Sequence, residues 1–146
     1  MRNLFFAFIV AAAMAAPVYA HHSFAMYDQT VTKTLSGKLT RYVPGANHAQ
    51  LLFVVVDNDG NVVMKDGKPM QFGVETGSAI AMARNNVTVK TMAEGTFITV
   101  RFYPLRDGRD FGALAGMLIT CGKAMPHGGC TEQTGQRMIG DLFNAQ

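Results

Sequence analysis

The chain lacks most of the signals by which common functional classes are recognised. Beyond its first twenty residues there is no second long apolar run. A membrane-spanning helix needs about 20 such residues, so the remainder is expected to be soluble. Charge of one sign is scarce as well: 13 Lys and Arg stand against 10 Asp and Glu, for a formal net charge of +3. Nucleic-acid binding rests on a clustered basic surface, and none is expected here. The sequence holds no Gly-x-Ser-x-Gly elbow and no His-Glu-x-x-His zinc helix. The glycine-rich stretches 112–116 and 128–129 lack the Gly-Lys-Ser/Thr ending that cradles phosphate. No catalytic residue is assigned, and the chain reads as non-enzymatic. Internal repeats and low-complexity segments are absent.

What is present begins with a leader. Arg2 supplies a positive start, an uncharged apolar run extends from Leu4 to Ala16, Pro17 breaks it, and Val18-Tyr19-Ala20 follows. This is the order of a secretory signal peptide, so residues 1–20 are expected to be removed and the working chain to begin His21-His22-Ser23-Phe24. No cysteine stands at the cut to take a lipid anchor. The expected location is the periplasm or the exterior, without membrane attachment after cleavage. Of 146 residues 126 remain, enough for one domain with its own core. Loss of Arg2 lowers the net charge from +3 to +2.

Two cysteines, Cys121 and Cys130, lie late in the chain. In an oxidising compartment an even pair reads first as a disulfide; a thiolate metal site with the intervening His127 is the alternative. The rest is patterned for strands. Leu35, Gly37, Leu39, Arg41 and Val43 alternate with polar residues as in a half-buried strand. Pro44-Gly45-Ala46-Asn47 is a turn, and Leu51–Val56 is a β-branched run suited to a central strand. Asp57-Asn58-Asp59-Gly60 and Lys65-Asp66-Gly67-Lys68-Pro69 are further turns around short strands at 61–64 and 70–75. Thr76 or Ser78 caps a short helix over residues 79–84. A short strand at 87–91, a strong one at 96–103 and a Gly/Ala-rich one at 111–120 follow. The tail from Cys121 reads as loop with a short helix around 138–143. Five strands with one helix between the third and fourth predict a mainly β fold, a five-stranded Greek-key barrel of the OB type over residues 21–120, with 121–146 as a disulfide-closed tail.

The segment His21-His22-Ser23-Phe24-Ala25-Met26-Tyr27-Asp28 directly after the expected cut resembles the start of a family of small exported bacterial proteins of unknown function, whose mature chains begin at an Ala-His-His-Ser-Phe-Ala junction. The resemblance continues through Leu35-Ser36-Gly37-Lys38-Leu39, the turn Ala46-Asn47-His48, and Pro104-Leu105-Arg106-Asp107-Gly108, and spans about Ala20 to Leu118. It implies export and a compact β-rich domain, and brings no activity with it. The chain departs from the family pattern in lacking proline before the turn histidine, in having only Gly77-Ser78 and Arg84 where the family has Ser-Pro and paired arginines, and in its cysteine-bearing tail.

The chemistry is concentrated in the histidines. Cleavage would give His21 a free α-amine beside its imidazole, a chelating pair. A second imidazole completes a T-shaped set of three nitrogens that suits Cu(II). His48, in a turn at the mouth of the first strands, is the preferred second imidazole. His22 is the rival, forming a local chelate that needs no fold. Met117, Met125 and Met138 could add soft ligands for Cu(I), but methionine is also a core filler. Arg106, Asp107, Arg109 and Asp110 form a charged loop that either meets an anion or partner or is a turn held by its own charges. Three functions follow: a periplasmic copper carrier or buffer; a non-enzymatic module binding a protein or small ligand across Arg41, Tyr42, Arg101 and Tyr103; and a copper oxidase or oxygenase, which nothing in the sequence demands.

Overall fold

The computed structural model describes residues 22–140. In chain order its elements are α1 (His22–Ala25), β1 (Lys33–Val43), β2 (Gln50–Val56), β3 (Met64–Lys65), β4 (Lys68–Pro69), β5 (Gln71–Glu75), α2 (Ala79–Arg84), β6 (Phe97–Pro104), β7 (Phe111–Gly122) and β8 (Gln136–Ile139). Five strands follow one another in the order β5-β2-β1-β6-β7, and β7 returns to β5 to close a barrel. The closing pair is parallel, from Gly73↔Phe111 to Glu75↔Ala113, whereas every other barrel pair is antiparallel. With α2 between the third and fourth barrel strands, this is the mixed five-stranded Greek-key barrel that the strand order predicts. The minor hairpin β3–β4 stands apart from the barrel, and β8 extends the sheet beyond β7.

The barrel is filled from inside by the alternate residues of each strand. Leu51, Phe53 and Val55 of β2, Val74 of β5, and Ile98, Val100 and Phe102 of β6 are buried. Phe72 links Phe53 and Phe102, with ring centroids 5.8 and 4.7 Å apart. Gly37 is where β1 allows this packing: a Cβ there would fall inside the Phe53 ring, so a side chain would have to displace a core aromatic.

Alternation along β1 is interrupted. The pairing with β2 shifts register between Leu39 and Arg41, a β-bulge that turns the following residues by one position. Leu39 and Tyr42 therefore both point inward while Thr40 and Arg41 face solvent. The expected binding face through Arg41 and Tyr42 is thus corrected: Tyr42 is only 8% exposed and belongs to the core, where its hydroxyl has no hydrogen-bond partner among the described residues.

Three segments differ from their sequence expectation. Where a strand is expected at 61–64 there is an isolated bridge at Val62 and the start of β3, and the expected turn 65–69 holds most of the β3–β4 hairpin. Residues 87–91 form turns, not a strand. Thr91 Oγ1 accepts from the Thr88 amide at 2.9 Å and donates to the Asn86 carbonyl at 2.6 Å, local bonds that compete with a strand ladder. The tail is not all loop: Cys121 and Cys130 form a disulfide with Cα atoms 5.8 Å apart, and β8 then pairs with β7. Met138 and Ile139 are buried strand residues, where a helix was expected; the rest of that expected helix, beyond residue 140, lies outside the described residues. At α2 the cap is Ser78, whose hydroxyl accepts from the Ala81 amide at 3.2 Å; Thr76 is buried and donates to the Ala49 carbonyl at 3.2 Å.

Candidate functional site

The segment after α1 lies on the barrel near the parallel β5–β7 pair. Tyr27 bridges to Leu105. The Asp28 amide donates to the Pro104 carbonyl at 2.8 Å and the Arg106 amide to the Met26 carbonyl at 2.9 Å. Arg106 adds a side-chain bond, its Nε donating to the Ala25 carbonyl at 3.2 Å. These bonds hold Tyr27 against the barrel, 1% exposed, in a cluster with Leu105 and Ala113.

Tyr27 Oη donates to Glu75 Oε2 at 3.2 Å. The other oxygen of the same carboxylate, Oε1, lies 3.2 Å from Nδ1 of His48. That ring nitrogen is also 3.3 Å from the Thr76 carbonyl. Glu75, at the end of β5, thus joins the segment after α1 to the β1–β2 turn. Burial, reinforced by the Glu75 charge and hydrogen bond, pushes the Tyr27 hydroxyl well above the ordinary tyrosine pKa, against a smaller opposing pull from Arg109. Phe24 stands edge-on to Tyr27, centroids 6.0 Å apart. With His48, Ala113 and Leu114 it lines a small, largely apolar pocket of about 100 Å³.

The orientation of His48 has a chemical consequence. Nδ1 faces two acceptors, a carboxylate and a carbonyl, an environment that places the ring proton there. The lone pair is then on Nε2. A carboxylate holding one ring nitrogen in this way is the usual outer support of a metal-binding histidine. The His48 side chain is 44% exposed and Glu75 only 18%, so the imidazole is reachable while its support is covered.

The other residues singled out from sequence fall as follows. His22 opens α1, and His21 lies outside the described residues. Among the described residues no group of three or more His, Cys, Asp and Glu side chains is assembled as a metal site. The disulfide takes up both sulfurs that a thiolate site with His127 would need. Met138 is core, and Met125 packs beside Gly60. In the loop after β6, Arg109 Nε meets Asp107 Oδ2 at 2.8 Å, and the Arg109 amide donates to Asp107 Oδ1 at 3.1 Å. Those bonds, the backbone one foremost, hold the Asp107 carboxyl below its ordinary pKa. Arg106 is set apart from them by its bond to Ala25. Sequence reasoning missed Tyr27 and Glu75 as site residues; Tyr27 stands in the segment that carries the family resemblance, but nothing local pairs it with Glu75, 48 positions away.

The chain belongs to a family of unknown function (DUF6152), whose model matches residues 9–114 and so covers Tyr27, His48 and Glu75. Among curated proteins, none matches it.

Proposed function

We propose that this member of the family is exported, is cut after Ala20, and binds Cu(II) in the periplasm through the new terminal amine and imidazole of His21 together with Nε2 of His48. The observation that carries the reading is the Glu75–His48 contact at 3.2 Å, in a pocket that Phe24 also lines. Phe24 is three residues from His21, and three residues of chain reach at most about 11 Å. The tether is therefore short enough to carry an amine and an imidazole to the rim of the His48 pocket. Three nitrogens in this arrangement match the tetragonal preference of Cu(II), which also binds more tightly than the other divalent ions of its series. Glu75 would orient His48 without being a ligand. The role supported is that of a carrier or buffer, not of an enzyme.

The test is copper stoichiometry on naturally exported and processed protein, purified without added metal. The reading expects about one copper per chain, lost when a single extra residue precedes His21 and lost again in His48→Ala. Because the amine and imidazoles must be deprotonated to bind, occupancy should fall away below about pH 5. Copper that survives His48→Ala would be held by the local His21–His22 chelate alone and would sink the folded site. Unchanged occupancy at about pH 4 would sink it as well.

A further inference from the structure

A second concavity lies at the end of the barrel where β1 begins, and it shares no lining residue with the His48 pocket. It arises because β1 outruns β2. Lys33, Thr34 and Leu35 pair with β6, while the partnership with β2 begins only at Ser36↔Val56. The concavity consequently lies over that end of the barrel, above a core that stays covered: Phe72 is 8% and Phe102 1% exposed. The cavity holds about 660 Å³, within the range of roughly 300–1,000 Å³ typical of small-molecule sites. Its apolar floor is made by the exposed Val31 and the half-buried Leu35 and Met70, with the buried rings of Phe72 and Phe102 beneath them, centroids 4.7 Å apart.

The rim is charged, and its charges are unevenly committed. Asp110 receives Lys65 Nζ on both carboxylate oxygens at 2.7 Å. Arg109 is engaged by Asp107 at 2.8 Å. Asp28 Oδ1 accepts from the Thr30 hydroxyl at 2.6 Å and the Thr30 amide at 3.1 Å. Lys33 and Arg106 are the lining cations that no described carboxylate contacts within ion-pair distance. Among the described residues the side-chain bond of Arg106 runs from Nε to the neutral Ala25 carbonyl, which steadies the guanidinium; its charge also acts at longer range on Asp28, whose carboxyl the Thr30 bonds foremost, with help from Arg106, hold below the ordinary pKa.

We infer that this end of the barrel binds a small amphipathic monoanion, an apolar aryl or alkyl body bearing one carboxylate, with the body against Val31, Leu35 and Met70 and the carboxylate at Arg106 and Lys33. An apolar wall favours the body by removing it from water. A guanidinium is the side chain best matched to a carboxylate, through two parallel hydrogen bonds. A cationic ligand would meet Arg106 and Lys33 and be repelled. A neutral one would forgo the charge-assisted bonds.

The probe is 4-phenylbutyrate, titrated into isotopically labelled protein at low salt and followed by NMR, beside 4-phenylbutan-1-ol and 4-phenylbutylamine. Octanoate serves as the alkyl counterpart and decides between aryl and alkyl bodies. The amides of Leu35, Met70 and Phe102 should shift on adding the acid. The acid should bind about tenfold more tightly than the alcohol, one charge-assisted bond's worth, and the amine more weakly than either. Arg106→Gln should bring the acid to within about twofold of the alcohol, and Lys33→Gln should narrow the gap in part. The variants' unliganded spectra establish that the fold is kept. Equal affinity for acid and alcohol would overturn the inference, as would an amine that binds as well, shifts centred on His48, or no saturable binding of either carboxylate.

Discussion

Replacing Tyr27 by phenylalanine should produce a stability difference that vanishes with rising pH. The hydroxyl is buried and donates to Glu75 at 3.2 Å. A hydrogen bond to a charged group contributes about 1.5–3 kcal/mol, and at this length the lower end applies. Near pH 8, Tyr27→Phe should therefore cost about 1.5 kcal/mol. Burial and the Glu75 charge raise the folded-state pKa of this tyrosine, whereas an unfolded chain releases the proton near pH 10. Stability from a raised pKa is fully present below the unfolded value. It is lost as pH climbs towards the folded one. At pH 11 the unfolded wild type has gained about 1.4 kcal/mol by ionising a tyrosine that the fold keeps protonated. The phenylalanine variant gains nothing at this position, so the two should be about equally stable at pH 11. Tyr42, also raised by burial, contributes the same slope to both proteins and cancels. Urea unfolding followed by circular dichroism at about pH 8, 10 and 11 measures the gap directly. A gap of constant size would refute the reasoning, because it would mean that Tyr27 ionises in the fold as it does in water.

Replacing both Cys121 and Cys130 by serine opens a loop spanning nine positions. On the chain-entropy model the loss is about 2.6 kcal/mol, or roughly 10 °C in Tm for a domain of this size; a loss under about 1 kcal/mol in urea unfolding would count against it. Tyr42→Phe, although a core substitution, should leave stability unchanged or raise it by up to about 1 kcal/mol, because the deleted hydroxyl is buried without a partner among the described residues. Destabilisation by more than about 1 kcal/mol in the same assay would show that this hydroxyl is satisfied in solution.

The parts of the fold that sequence discloses are those fixed by local pattern. β2 is a run of β-branched and apolar residues, and Asp57 to Gly60 ends it with a turn in which Asp57 Oδ1 accepts from the Asp59 and Asn61 amides at 2.9 Å each. The barrel order follows from counting such strands around one helix. The bulge after Leu39 has no local signature, since a perfect two-residue alternation can be read through it, and so Tyr42 was placed on the wrong face. β8 is four residues, Gln136–Ile139, and owes its conformation to β7 rather than to its own composition. Thr88 to Thr91 shows the converse: β-branched residues whose hydroxyls prefer their own backbone. The same division holds at the candidate site. His48 is legible as a histidine in a turn and the loop 106–110 as a charged one. Glu75 and Tyr27 are not, because what makes them neighbours is closure of the barrel.

That closure also orders events in time. The segment carrying Tyr27 emerges early in the chain, yet the groups it docks on, Pro104 and Leu105, come some eighty positions later. Glu75 is at the last register position of the β5–β7 pair, opposite Ala113. His48 can meet Glu75 as soon as β2 pairs with β5, but Tyr27 joins them only once β6 has been made and its end docks the segment, as loop-closure entropy delays distant pairings behind near ones. The Tyr27–Glu75 bond is therefore a read-out of completed folding, which the His48–Glu75 contact alone is not.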